Sequence, residues 1–318
     1  MKIVLLDATT LGDDISLDAI KRLGECVIYD NIDNKDIADA LYDCDVCITN
    51  KKLLGEHNLK ECHNLKLICL TATGYNNIDV EYCKKRGIKV RNVPGYCKES
   101  VCQHTFALLL SLMESINYYD GFVKDGSYTK SGVANHLAVP FDEISGKVWG
   151  IIGMGGIGRE VGKVATAFGA SVIYAPVSGK SRKEEYEEVT IDELFKMSDI
   201  ISIHSPLNEK TENLVNMEKL ALMKKSAVII NVGRGAIVNS RDLVEAVDTG
   251  LIRGAGIDVY PTEPPGEDDP FMKIKHPERF VLTPHIAWAS VTARQRCVDV
   301  VAENIVALCE KRGCNDVW

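Results

Sequence analysis

The chain lacks any apolar run near the roughly 20 residues that a membrane-spanning helix needs, so no span is expected. It also lacks an excess of positive charge. The 37 Lys and Arg stand against 45 Asp and Glu, a net charge of -8. Such a field attracts neither nucleic acid nor an anionic membrane surface, and neither is an expected partner. A secretory leader is missing as well, because the apolar start of MKIVLLDATT meets Asp7 too soon, and a cytoplasmic location is expected. There is no disulfide framework either, since the 11 cysteines are odd in number and scattered through strand-like and helix-like stretches. Cys44 and Cys47 have CxxC spacing but no second pair to complete a metal site, so they are expected as small apolar residues in a buried strand. No internal repeat or low-complexity tract is present.

What is there reads as globular and bipartite. The 318 residues exceed one small domain, and 46% hydrophobic with 26% charged residues is ordinary for a folded chain. In the first hundred residues, KIVLLDA, CVIYD, DVCITN, LKLICLTA and IKVRNV are short β-rich runs. SLDAIKRLG, NKDIADALYD and VEYCKKRG lie between them with helical spacing. Near-continuous apolar strands alternating with helices predict a parallel sheet covered on both faces. ESVCQHTFALLLSLMESINYYDGF then predicts one long connecting helix, followed by an irregular segment. A second alternation supplies KVWGIIG, SVIYAP, DIISIHSP, AVIINVG, GAGIDVY and FVLTPH, six strands in the rhythm of a Rossmann sheet. The expected fold is α/β, with two doubly wound parallel-sheet domains. Residues 99–289 form the Rossmann domain. Residues 1–98 and 290–318 form a smaller flavodoxin-like domain, completed by the terminal helix.

The turn Gly153-Met-Gly155-Gly156-Ile157-Gly158 follows one of these strands and opens a helix. In that context the first glycine allows the turn, the second lets a pyrophosphate approach the backbone, and the third lets helix and sheet pack closely. The helix N-terminus favours the anion. A dinucleotide site is expected here, although a methyl-donor cofactor uses similar loops. The ribose-binding acid should close the next strand, but Ala175 stands there. Its absence removes the repulsion of a 2′-phosphate, and Ser178, Lys180, Ser181 and Arg182 follow with donors and positive charge. KSRKEEYEE also reads as an ordinary mixed-charge surface. The balance favours NADP over NAD.

Three segments carry the chemistry. VIINVGRGAIV puts Val232, Gly233 and Arg234 past a strand, GIDVYPTEPP puts Asp258 and Glu263 past the next, and LTPHIAWAS puts His285 and Trp288 past the last. Taken singly, Arg234 reads as a turn residue, Glu263 as facing water and His285 as a helix cap. In this order and spacing, the chain resembles the D-isomer-specific 2-hydroxyacid dehydrogenases along essentially its whole length. SVCQHTFALLL and TPHIAWAS are most similar to the glycerate dehydrogenase (hydroxypyruvate reductase) branch.

The resemblance implies a catalytic set of Arg234, Glu263 and His285. His285 would protonate the keto oxygen, Glu263 would orient the imidazole and favour its charged form, and Arg234 would hold the substrate carboxylate. Thr73 and Gly74 in TATGYNN would bind the same carboxylate from the other domain, with Trp288 walling the pocket or serving the core or a dimer interface. The cofactor would meet Thr105, the glycine turn, His204, Ser205, Pro206, Val232, Gly233, Arg234, Asp258 (through its carboxamide) and His285. The implied partner is a small 2-keto acid such as hydroxypyruvate or glyoxylate, bound in a cleft whose closure excludes water. A homodimer is expected, through the connecting helix and the segment 135–141. A second reading is a dinucleotide-sensing corepressor-like binding protein. Such relatives usually carry partner-binding extensions, and none is expected on a chain that begins at its first strand and ends at its terminal helix.

Overall fold

The computed structural model describes residues 1–177 and 184–318. They divide into two units, Met1–Cys97 with Ala289–Trp318, and Lys98–Trp288. The first unit holds β1 (Lys2–Leu5), β2 (Glu25–Ile28), β3 (Val46–Thr49), β4 (Leu67–Leu70) and β5 (Lys89–Arg91), all parallel in the order β2-β1-β3-β4-β5. That is the flavodoxin-like order. β3 and β4 are buried along their full length because helices cover both faces, so every position can be apolar. Cys44 and Cys47 lie in this core, and burial pushes the Cys44 thiol up to about 12. Among the described residues no group of His, Cys, Asp and Glu could hold a metal ion. The helix Val291–Cys309 packs on β4, and fully buried Arg91 ties the tail to the sheet through Asp316 at 2.8 Å and the carbonyl of Arg312 at 3.0 Å.

The second unit holds β6 (Val148–Ile152), β7 (Ser171–Ala175), β8 (Glu187–Glu188), β9 (Ile200–Ile203), β10 (Val228–Asn231), β11 (Gly254–Ile257) and β12 (Phe280–Leu282). The order is β12-β11-β10-β9-β6-β7-β8, with all pairs parallel. The register places Ala175, Ile152, Ile203, Asn231, Ile257 and Leu282 in one row across the sheet. The residue after each therefore emerges at the same C-terminal edge, where ligands bind in open α/β sheets.

Two elements depart from the sequence expectation. The long connecting helix is two helices, Lys98–Met113, which packs on β10 and β11, and Ile116–Lys124. Ser115 has φ 52, a left-handed residue that no continuous helix can contain. The seventh strand, β8, consists of two glutamates at the sheet edge. Charge at an edge deters pairing with another chain, and it hides the strand from a hydrophobicity reading.

Candidate active site

The glycine turn starts where β6 ends. Gly153 has φ +94, its N–H donates to the Ala175 carbonyl at 3.2 Å, and a Cβ here would lie 2.9 Å from Ser205 N. A Cβ on Gly158 would lie 2.4 Å from the Gly153 carbonyl oxygen. Both positions exclude a side chain because backbone approaches backbone. Gly155 and Gly156 differ: a Cβ on either meets no described atom within 4 Å, so this face of the turn is open. The helix Gly156–Ala167 makes its first turn with Arg159 N donating to Gly155 O at 3.1 Å. The amides ahead of that bond have no helical acceptor and suit an anion.

Beside the turn, His204 Nδ1 and Ser205 Oγ are buried with no hydrogen-bond partner among the described residues. His204 Nε2 lies 3.0 Å from Ser202 Oγ, which accepts the Trp149 indole N–H at 2.9 Å. Burial pulls His204 down to about 3, so the ring is neutral. Whichever ring nitrogen carries the hydrogen, Nδ1 is the ring atom still to be used. Open amides next to unused buried polar groups fit a dinucleotide.

Asn231 closes β10 and folds the next turn. Its side chain accepts from Gly233 N–H at 3.1 Å and donates to the Arg234 carbonyl at 3.1 Å. A Cβ on Gly235 would fall 1.9 Å from the Tyr260 carbonyl carbon, so the loops after β10 and β11 lie against each other. Arg234 is exposed, with Nη1 donating to the Gly233 carbonyl at 2.8 Å. Among the described residues no carboxylate pairs with it, and its fork remains available to an anionic ligand.

The loop after β11 brings Glu263 back towards the sheet. Its Oε1 accepts from Tyr260 N–H at 3.2 Å, and its Oε2 lies 2.6 Å from His285 Nδ1. A carboxylate accepts only, so Nδ1 carries a hydrogen and Nε2 is the nitrogen left to exchange a proton. His285 adopts φ 55. A non-glycine residue held there costs about 1–3 kcal/mol and persists where its surroundings over-determine it. The surroundings do so here: His285 N donates to the Asp258 carbonyl at 2.8 Å. The Asp258 carboxylate accepts from Thr283 Oγ1 at 2.6 Å and from the amides of Ile286 and Ala287 at 2.9 Å. Burial alone would raise this carboxyl, but hydrogen bonds led by that of His104 outweigh it and hold the group below its usual range.

The geometry brings Arg234, Glu263 and His285 to one edge. Thr105 and Asp258, both expected at the cofactor, are buried in this structure. Both lack accessible surface, Thr105 donates to its own helix at Val101 O (2.8 Å), and Asp258 is engaged by its own loop. Ala175 and Val232 are also buried, Ala175 within the main core, whereas Pro206 is exposed and Trp288 half-buried. Ser178, Lys180, Ser181 and Arg182 lie outside the described residues. Thr73 and Gly74 belong to the first unit, where Thr73 Oγ1 donates to Val93 O at 2.9 Å. Asn231, Tyr260, Thr283 and His104 went unnoticed as site residues in the sequence. Only His104, a polar residue on an otherwise apolar helix face, offered a signal.

The chain is similar to known proteins over nearly its whole length. Residues 106–287 match the family described as D-isomer specific 2-hydroxyacid dehydrogenase, NAD binding domain. Over 311 residues, covering 96% of each chain, the sequence is 36% identical to a hydroxypyruvate reductase of Blautia hydrogenotrophica. Among solved structures, an acyclic imino acid reductase (Bsp5) in complex with NADPH and D-Arg is similar over 100% of both chains, with 30% identity and a TM-score of 0.86. A D-lactate dehydrogenase from Aquifex aeolicus, complexed with NAD and lactic acid, covers 98% of this chain and 96% of its own at 27% identity and a TM-score of 0.83.

Proposed function

Because the chain belongs to the D-isomer-specific 2-hydroxyacid dehydrogenase family, we propose that it reduces a small 2-keto acid of the hydroxypyruvate or glyoxylate kind to the D-2-hydroxy acid. The observation that carries this reading is the 2.6 Å contact between His285 and Glu263, on the same sheet edge as an Arg234 with no carboxylate partner among the described residues. Arg234 binds the substrate carboxylate and polarises the neighbouring carbonyl with its remaining donors. His285 gives the proton from Nε2 to the keto oxygen, while Glu263 holds the ring and balances its charge. The dinucleotide, when bound, supplies the hydride. The amides of Gly155 to Gly158 hold its pyrophosphate, and His204 and Ser205 offer their unused polar atoms beside it.

NADPH is the proposed preference over NADH. β7 ends in Ala175 with no carboxylate to repel a 2′-phosphate, and Lys180 and Arg182 follow in the sequence. The similar imino acid reductase was solved with NADPH. A homodimer is proposed as well, supported by exposed apolar groups between the two halves of the second unit's sequence. Leu137 is 87% and Phe141 55% exposed, and Tyr118 and Tyr128 lie nearby in sequence. Among the described residues no helix is long and apolar enough to cross a membrane. A cytoplasmic location is proposed, and the net charge of -8 supports the absence of a nucleic-acid partner.

Initial rates on hydroxypyruvate and glyoxylate, with NADH and NADPH side by side, test the reading. Turnover is expected with at least one of them, faster at limiting NADPH, and Lys180→Ala with Arg182→Ala should erase that preference. An NADH preference would overturn the cofactor assignment alone. No turnover of any 2-keto acid, with dinucleotide binding intact, would overturn the enzyme assignment and point to a dinucleotide-sensing binding protein.

A further inference from the structure

His285 is held in its left-handed conformation by groups that take no part in the chemistry assigned above. Its loop is gripped from two directions. Asp258 accepts from Thr283, Ile286 and Ala287, which flank the histidine on both sides. The helix Lys98–Met113 holds the same loop through residues one turn apart. Ser100 Oγ donates to the Ala287 carbonyl at 2.7 Å, and His104 Nε2 lies 3.0 Å from Thr283 Oγ1 and 3.5 Å from Asp258 Oδ1. A hydroxyl has one hydrogen, and Thr283 gives it to Asp258 at 2.6 Å. Thr283 Oγ1 therefore accepts from His104, and His104 Nε2 carries a hydrogen.

We propose that His104 is a positioning residue for His285, acting through Thr283 and Asp258. Its Nε2–H fixes the Thr283 hydroxyl, the hydroxyl fixes the buried carboxylate, and the carboxylate fixes the two amides that follow His285. Without that donor the Thr283 hydroxyl keeps only its bond to Asp258, and the helix keeps only its Ser100 bond to the loop. The His285 Nδ1–H to Glu263 bond is then no longer kept at one geometry. The proposal rests on His285 being the proton donor, but one arm of its test does not need turnover.

That arm is the low-field proton NMR signal of His285 Nδ1–H in the intact protein, identified by its loss in Glu263→Gln. In His104→Leu the signal should shift or broaden, and His104→Gln, whose amide N–H reaches the Nε2 position, should restore it. Where 2-keto acid turnover is measured, His104→Leu should lower kcat about tenfold to a hundredfold, the cost of a small misplacement of a reacting group. Dinucleotide Kd should stay near the wild-type value. Thr283→Val should lower kcat similarly, and the double variant should lose no more than the worse single one, because both break one chain of bonds. If His104→Leu does not fold, His104→Asn, whose amide stops short of Thr283, takes its place with the same expectation. An unmoved signal in the folded variant, or two losses that multiply, would overturn the proposal. A wild-type protein inactive on every keto acid would overturn the functional reading instead, and the NMR comparison would still decide the role of His104.

Discussion

The His285→Ala variant is expected to lose about two to four orders of magnitude in kcat, the usual contribution of a positioned general acid. Its affinity for reduced dinucleotide should stay close to that of the wild type. The two quantities separate because the open amides of the glycine turn and the pair His204 and Ser205 all lie away from the imidazole. Little should change in folding either. The loop keeps its Asp258 bonds to Thr283, Ile286 and Ala287, which hold the left-handed backbone in place. Stopped-flow oxidation of reduced cofactor gives kcat, and fluorescence titration gives the binding constant. Turnover at the wild-type rate would remove His285 from the chemistry, and loss of cofactor affinity in step with turnover would make it a binding residue.

Arg234→Ala is the second large effect. In the proposed reaction the guanidinium contacts the substrate carboxylate in ground and transition states alike, so KM for the keto acid should rise steeply. It also faces charge that grows on the carbonyl oxygen, so kcat should fall by about 10²–10³, as when one oxyanion donor is removed. The side chain is exposed and makes a single backbone bond, to Gly233, so Tm should hardly move. Steady-state kinetics over a wide range of keto acid concentrations separates the two parameters. A variant with unchanged KM would show that the carboxylate is held elsewhere, and an unchanged kcat would limit Arg234 to binding.

Much of this site was legible because it is backbone chemistry. Gly153 and Gly158 are glycines since any side chain would strike Ser205 N or the Gly153 carbonyl, and such positions betray themselves in sequence. The strands were legible for a similar reason. β6, β9 and β10 are buried almost throughout, so their apolar runs had no competing explanation. What escaped was set by contacts between residues far apart in the chain. Asp258 follows a strand end and reads as facing a ligand, yet donors from residues 104, 283, 286 and 287 converge on it and bury it. No local pattern encodes that convergence. Ser115 breaks a helix whose apolar periodicity continues across the break.

The most direct test of the central claim is the configuration of the product. Purified protein, reduced dinucleotide and hydroxypyruvate are incubated to completion, and the glycerate formed is resolved on a chiral column. D-glycerate alone is expected, because in the proposed arrangement Arg234 would fix the carboxylate and His285 the carbonyl oxygen, leaving one face of C2 open to hydride. L-glycerate, or a mixture of both isomers, would contradict the assignment.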